Sequence, residues 1–192
     1  MTHVSPARER GVVLIFTLIV LLIMTIGAVA LLRSMNTSLT SAGNLAFRHD
    51  LVNQGEQAIS NVLQSVQTGA LATGTTADVP SSNYYAATLD TNAQGVPTVL
   101  LTRTAPSGMT AGDITGATSD VKIRYVVDRL CNAAGAASAA SCVQFVANPL
   151  GQKALPTPGI PAPSATVYRL SVRVTGPRNT QIFLQTTFTK PD

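Results

Sequence analysis

Histidine and cysteine are the residues of this chain best suited to act as bases, nucleophiles or metal ligands. The sequence contains two of each: His3 and His49, and Cys131 and Cys142. A zinc site needs three or four ligands at suitable spacings, and these residues do not make up such a set. If N-terminal processing removes His3, a Ser-His-Asp or Cys-His site would depend on His49 as its base, and no nucleophile-elbow pattern occurs in the chain.

Carboxylates and glycines give no pattern that indicates chemistry either. No EF-hand-like run and no Walker-type or dinucleotide-binding glycine motif is present. The aspartates beyond residue 69 are Asp78, Asp90, Asp113, Asp120, Asp128 and Asp192. The sequence therefore predicts a protein that is not an enzyme and that uses no cofactor or metal ion.

The composition is that of one folded domain with an apolar anchor. The chain has 192 residues, of which 45% are hydrophobic and 11% charged, so wholesale disorder is not expected. The formal net charge is +4, but the basic residues form no run and do not alternate with aromatic residues as in single-strand binders. We therefore expect a mildly basic surface and no nucleic-acid partner.

The N-terminal region contains an uncharged apolar run over residues 12–32. As an α-helix this run is roughly 31 Å long, close to the hydrocarbon thickness of a bilayer. Arg8 and Arg10 precede it, which favours a cytoplasmic N-terminus and an exported remainder. Three fates are open: a plain transmembrane anchor, a signal peptide cleaved after Ala28-Val29-Ala30, or a prepilin-type segment cleaved before the run and retained.

A helical pattern continues beyond the apolar run, which an ordinary signal peptide gives no reason to expect. A mostly apolar stripe recurs at steps of three or four residues. Its members are Met35, Leu39, Ala42, Ala46, His49, Val52, Gly55, Ile59, Val62 and Val66. Since no proline occurs between Pro6 and Pro80, one helix over residues 12–67, roughly 84 Å long, is predicted. We interpret His49 as a packed or boundary histidine.

The start of the apolar run resembles the class III signal of type IV pilins and pseudopilins. The resemblance rests on Arg8-Glu9-Arg10-Gly11 followed directly by Val12-Val13-Leu14-Ile15-Phe16-Thr17-Leu18-Ile19. In that family the prepilin peptidase cleaves after the glycine and methylates the new N-terminus. The resemblance therefore implies cleavage between Gly11 and Val12.

Further stretches are similar to PilX-type minor pilins of this superfamily. Ala42-Gly43-Asn44-Leu45-Ala46-Phe47-Arg48, with Gln54-Gly55-Glu56-Gln57-Ala58-Ile59, resembles their AGN…A-E-A region. Tyr168-Arg169-Leu170-Ser171-Val172-Arg173-Val174-Thr175-Gly176-Pro177-Arg178-Asn179 resembles their closing strand and turn. Residues 70–120 match nothing that we can name.

The sequence departs from the pilin pattern at the fifth position of the expected mature chain. Most pilins carry a glutamate there, which neutralises the N-terminal amine of a neighbouring subunit, whereas this chain has Phe16. A buried unpaired amine is costly, so a subunit without the acid is poorly suited to continuous stacking. PilX-type minor pilins and K-type minor pseudopilins often lack the acid too. We therefore expect a priming or tip-proximal subunit.

The remainder of the chain reads as a β-rich domain. Strands are predicted at 98–104, 121–127, 142–146, 167–175 and 181–189, with a turn at 176–179. In the strand at 167–175, Tyr168, Leu170, Val172 and Val174 form a core face and Arg169, Ser171 and Arg173 a wet face. The predicted fold is α+β and pilin-like, a lollipop with a long helix packed on an antiparallel sheet of about four strands.

The expected division of the chain follows from these elements. Residues 1–11 are the leader, 12–32 the transmembrane or filament-core helix, 33–67 its amphipathic continuation and 68–192 the periplasmic head. Within the head, the segment 149–163 contains five prolines and is interpreted as a surface connection, with a partner-docking strap as the alternative.

Cys131 and Cys142 enclose a loop of small residues without an apolar anchor. If export places this loop in an oxidising compartment, a structural disulfide bond is expected. Reactive or metal-binding cysteines need basic neighbours or further ligands, and Arg129 is the basic residue nearby.

These features predict a minor pilin of a type IV pilus, at or near the filament tip, that helps to prime assembly for adhesion or twitching motility. The expected partners are other minor and major pilins, the inner-membrane assembly platform, the prepilin peptidase and a PilY-type tip adhesin. The expected location is the inner membrane and then the extracellular pilus. The alternatives are a K-type minor pseudopilin of a type II secretion system and, in another class, a membrane-anchored or secreted periplasmic binding protein.

Overall fold

The computed structural model describes residues 11–72, 76–102, 109–146 and 164–191. Two compact units divide the chain, the first ending at Arg48 and the second beginning at His49. The helices are α1 (Val12–Thr68) and α2 (Thr98–Leu101), and the strands are β1 (Tyr84–Tyr85), β2 (Ile114–Thr115), β3 (Lys122–Arg129), β4 (Gln144–Val146), β5 (Ser164–Thr175) and β6 (Gln181–Pro191). Single 3-10 turns occur at Ala70–Ala72, Pro80–Ser82 and Pro177–Asn179.

The first unit contains the apolar beginning of α1. By length and composition this helix is able to span a membrane. Its two threonine hydroxyls within the apolar run are satisfied locally, because Thr17 Oγ1 donates to the Leu14 carbonyl at 2.9 Å and Thr25 Oγ1 to the Leu22 carbonyl at 2.8 Å. Such back-bonding lets a hydroxyl sit in an apolar environment without an unpaired polar group.

In the second unit, the end of α1 packs on the sheet through a stripe that differs in part from the predicted one. The buried helical residues are Leu51, Gly55, Ala58, Val62 and Val66. Gly55, Val62 and Val66 belong to the predicted stripe, whereas Val52 and Ile59 are half-buried. His49 was interpreted as a packed or a boundary residue. The packed alternative is wrong, because His49 is exposed, whereas the boundary alternative agrees with its place as the first residue of the second unit. The predicted stripe is therefore one residue away from the buried row at two places, Val52 instead of Leu51 and Ile59 instead of Ala58, since 3.6 residues per turn allows steps of three and of four.

Strand β5 is the centre of the sheet. It pairs antiparallel with β3 and β4 and, along 11 residues, with β6. The predicted α+β fold with a long helix and a sheet is confirmed, and the turn between the last two strands is present at Pro177–Asn179. The described sheet has six strands rather than about four, and it is mixed, because β1 runs parallel to β3 while β2 runs antiparallel to it. Two-residue pairings of this kind leave no alternation in the sequence to detect.

The predicted strand at 98–104 is wrong over its first four residues. Thr98–Leu101 is one turn of helix, and positions 103 and 104 lie outside the described residues. Pro97 precedes the turn with φ −55°, and the Thr98 amide donates to the Asp90 carbonyl at 2.9 Å. This turn buries Leu100 completely, so a helical turn satisfies the apolar run as well as a strand would.

The face of β5 that was predicted to be wet is covered. Ser171 and Arg173 are 3% and 5% exposed, and the arginines of this face bind backbone carbonyls of the preceding segment. Arg169 Nη2 donates to the Leu89 carbonyl at 3.1 Å, and Arg173 Nη1 donates to the Leu100 carbonyl at 2.5 Å. The alternation of β5 is therefore correct, but both of its faces are buried.

Gly55 lies where α1 approaches the sheet closely, and enlarging it is expected to destabilise the fold. A Cβ at this position would lie 2.9 Å from Val174 Cγ2 and would also meet Leu184. A Cβ at Gly43, also in α1, would meet nothing within 4 Å. We expect Gly55→Leu to lower the free energy of unfolding by about 1–3 kcal/mol relative to Gly43→Leu, because helix propensity changes equally in both variants.

Chemical denaturation of the purified full chain in detergent measures this difference. Equal stabilities of the two variants would contradict the close packing of Gly55 on the sheet.

Candidate membrane and assembly segment

The expected processing site lies at the beginning of α1. Gly11 forms a turn and Val12 is the first helical residue. Val12 is 72% exposed and Phe16 is 68% exposed, so neither is held in a packed core. Cleavage between Gly11 and Val12 remains a prediction, and residues 1–10, with the two arginines of the predicted leader, lie outside the described residues.

The apolar part of α1 is exposed on all sides. Residues 11–46 are all exposed, and their large apolar side chains are not confined to one stripe. Contact of such a surface with water is unfavourable, by about 25 cal/mol for each Å² of apolar area. A helix that is apolar all round belongs in lipid or among other apolar helices. By its length and composition, this segment is therefore able to span a membrane.

The same segment carries no carboxylate. α1 has no acidic residue in its first turn, and the first acidic residue along it is Asp50. Arg33 and Arg48 are the charged residues between Val12 and Asp50. The helix can therefore offer no carboxylate to an amine of a neighbouring chain along residues 12–49.

The predicted disulfide bond between Cys131 and Cys142 is confirmed, with an S–S distance of 2.06 Å. The loop between the two cysteines is also held by Arg129, which is 1% exposed. Arg129 Nε donates to the Ala86 carbonyl at 3.1 Å and Nη2 donates to the Gly135 carbonyl at 2.6 Å. Sequence reasoning noted Arg129 only as a possible activator of the cysteines, whereas it is a structural residue that holds the loop.

A buried ion pair that the sequence did not indicate connects β3, β5 and the segment before α2. Asp128 is 0% exposed. Its carboxylate accepts from Arg169 Nε at 2.9 Å and Nη2 at 2.5 Å, and from the Leu89 amide at 3.0 Å. Asp128 and Arg169 are direct cross-strand partners, so the register of β3 on β5 creates the pair. The ion pair could have been predicted only from the register of β3 on β5.

Two tyrosines have altered proton affinity. Burial raises the pKa of Tyr125, and burial followed by the charge of Asp78 raises the pKa of Tyr85. Both folded-state pKa values lie above the ordinary value of about 10. The neutral phenols therefore contribute their full stability to the fold below about pH 10, and this contribution is lost as the pH rises through the folded-state pKa values. Neither phenol is therefore tuned for proton transfer near neutral pH.

Metal-ligating groups do not converge in the described part of the chain. No group of three or more His, Cys, Asp or Glu residues there is close enough to hold a metal ion. Both cysteines are consumed by the disulfide bond. The features that stand out are the apolar segment of α1 and the disulfide-bonded domain.

These features define the class as a chain that has, among its described residues, an apolar helix able to span a membrane and a disulfide-bonded α+β domain. Comparison with protein-family models, curated proteins and solved structures finds no match. A functional assignment therefore depends on the residues themselves.

Proposed function

We propose that the protein is a minor pilin of a type IV pilus, located at or near the filament tip, that helps to prime pilus assembly for adhesion or twitching motility. The observation that carries this proposal is the position and character of α1. It begins at Val12, directly after Gly11, and runs as one helix of 57 residues. Its beginning is exposed and apolar, and its end packs on a sheet through Gly55 and Val62.

The apolar segment has two successive roles in this proposal. It first partitions into the inner membrane, with the N-terminus cytoplasmic and the domain periplasmic, since Arg8 and Arg10 precede the run. It then leaves lipid to pack against the equivalent helices of other minor and major pilins. Both environments are apolar, so the transfer exchanges one partner for another without exposing the helix to water.

The absence of a carboxylate between Val12 and Asp50 supports a tip-proximal position. A subunit in the shaft must neutralise the N-terminal amine of a neighbour within an apolar core, where an unpaired charge is costly. This chain has Phe16 where that carboxylate is expected. A subunit with no neighbouring amine to neutralise loses nothing by the replacement.

The disulfide bond supports export of the domain. Disulfide bonds persist in oxidising compartments such as the periplasm and the cell surface. The proposed partners follow from this route. They are the prepilin peptidase, the inner-membrane assembly platform, the neighbouring pilins and a PilY-type tip adhesin.

Fractionation of sheared filaments tests the proposal. We expect a small amount of the protein in the sheared pilus fraction, the rest in the inner membrane, and immunogold label at filament ends. A Phe16→Glu variant is the matched comparison for the position in the filament, since it places a carboxylate at the fifth residue of the expected mature chain. Protein found only in the soluble periplasm would favour the binding-protein alternative and contradict the proposal. Dependence on a type II secretion system instead of the pilus would favour a K-type pseudopilin.

A further inference from the structure

A polar cavity of about 410 Å³ opens at one end of the sheet. Its lining carries three basic side chains, one acidic side chain and three neutral polar ones. The lining residues are Asp113, Lys122, Arg124, Arg173, Thr175, Asn179 and Gln181. The excess of positive charge makes the cavity attractive to an anion.

Strand register brings the basic residues to one place. Arg124 lies directly opposite Arg173, and Lys122 lies opposite Thr175, which in turn lies opposite Gln181. Residues two apart on a strand share a face, so these side chains occupy the same face of the sheet. Like charges at directly opposed positions destabilise a sheet. An anion between them would remove this repulsion.

Arg173 is the buried member of the group and has unused hydrogen-bonding capacity. It is 5% exposed, and its Nη1 donates to the carbonyls of Leu100 and Thr102, both at 2.5 Å. Its Nε has no hydrogen-bond partner among the described residues. Burial lowers the pKa of Arg173, the charge of Arg124 lowers it further, and Asp113 opposes both. A buried guanidinium that lies beside a second guanidinium and has one N–H group without a hydrogen-bond partner is energetically unfavourable.

The acidic residue of the cavity is already engaged. Asp113 accepts from Arg124 through both carboxylate oxygens, Oδ1 from Nε at 2.5 Å and Oδ2 from Nη2 at 2.8 Å. Arg124 pairs with Asp113 and Arg169 with Asp128, and neither pair includes Lys122 or Arg173. Lys122 and Arg173 therefore have no carboxylate partner within the described ranges.

We propose that this cavity is a binding site for an oxyanion, a carboxylate or a phosphate group, held by Arg173 and Lys122 with help from the polar side chains of the lining. Charge-assisted hydrogen bonds from arginine and lysine are the strongest contacts that proteins offer to such groups. The site is formed by β3, β5 and β6 together with Asp113, which precedes β2, and Asn179 of the turn between the last two strands, and it does not depend on the assembly function proposed for α1.

Titration of the isotope-labelled full chain in detergent, followed by NMR at constant ionic strength, tests this proposal. The probes are inorganic phosphate and, separately, acetate, each replacing chloride. We expect saturable binding of at least one anion, with a shift of the Arg173 Nε–H resonance. Lys122→Gln should weaken that binding about tenfold, because it removes one charged contact. Arg178→Gln is the matched control, since Arg178 is exposed, carries the same charge and does not line the cavity.

The two probes also separate the sources of the anion. Tighter binding of phosphate assigns the site to a phosphate group, and tighter binding of acetate assigns it to a carboxylate. Arg173→Met should abolish binding where the variant folds, and Lys122→Gln decides the question where it does not. Absence of saturable binding by both anions, or equal weakening by Lys122→Gln and Arg178→Gln, would overturn the proposal.

Discussion

Replacing Asp128 by alanine is expected to lower the free energy of unfolding by about 3–5 kcal/mol, the largest effect of a single substitution that we foresee in the domain. The side chain of Arg169 is 11% exposed and its carboxylate partner is completely buried. Removal of the carboxylate leaves a buried guanidinium without its counter-charge and the Leu89 amide without its acceptor. Both losses act together because the same two oxygens serve both donors.

Chemical denaturation of the full chain in detergent measures the effect. Asp120→Ala is the control, since Asp120 is an exposed aspartate and surface substitutions usually change stability by less than about 0.5 kcal/mol. Asp128→Asn should fall between the two, because its amide oxygen can still accept from Leu89. An Asp128→Ala variant as stable as Asp120→Ala would show that the buried ion pair does not stabilise the packing of β3, β5 and the segment before α2.

Removing the disulfide bond is expected to have the second-largest effect. In the chain-entropy account, closing a loop of this size stabilises a fold by about 3 kcal/mol, and Cys131 and Cys142 are 11 residues apart. The loop itself is made of small residues and contributes little packing, so the bond and Arg129 are its main anchors. The Cys131→Ser/Cys142→Ser double variant should therefore unfold at a clearly lower denaturant concentration.

The double variant also provides the control for this experiment. Addition of a reductant should destabilise the wild-type protein to the level of the double variant and leave the double variant unchanged. Equal midpoints for the oxidised wild-type protein and the double variant would contradict a structural role of the bond.

The parts of the fold that sequence reasoning predicted are those with long repeating patterns. The 57-residue helix has no internal proline and an apolar start, and β3, β5 and β6 alternate clearly enough to be found within a few residues. The short strands Tyr84–Tyr85 and Ile114–Thr115 depend on backbone pairing to β3 and leave no periodic signal. The prediction of a strand at Thr98–Leu101 was wrong, because a four-residue apolar run fits a turn of helix as well as a strand.

Sequence reasoning identified those features of the candidate site that depend on residue type alone. The cysteine pair and the apolar segment could be identified without coordinates, because their chemistry is local. The pair of Asp128 with Arg169 and the basic cavity at Arg173 depend on strand register, which one sequence does not specify. Alternation in β5 suggested a solvated face for Arg169 and Arg173, but these side chains are covered and donate to the backbone carbonyls of Leu89 and Leu100.

The mature N-terminus tests the central claim most directly. Mass spectrometry should be applied to the protein from cells with and without the prepilin peptidase. The pilin proposal predicts a chain that begins at N-methylated Val12 and that is lost in the peptidase mutant. A chain that begins at Leu31, or one that keeps its intact leader in both strains, would contradict it and leave an exported or membrane-anchored binding domain.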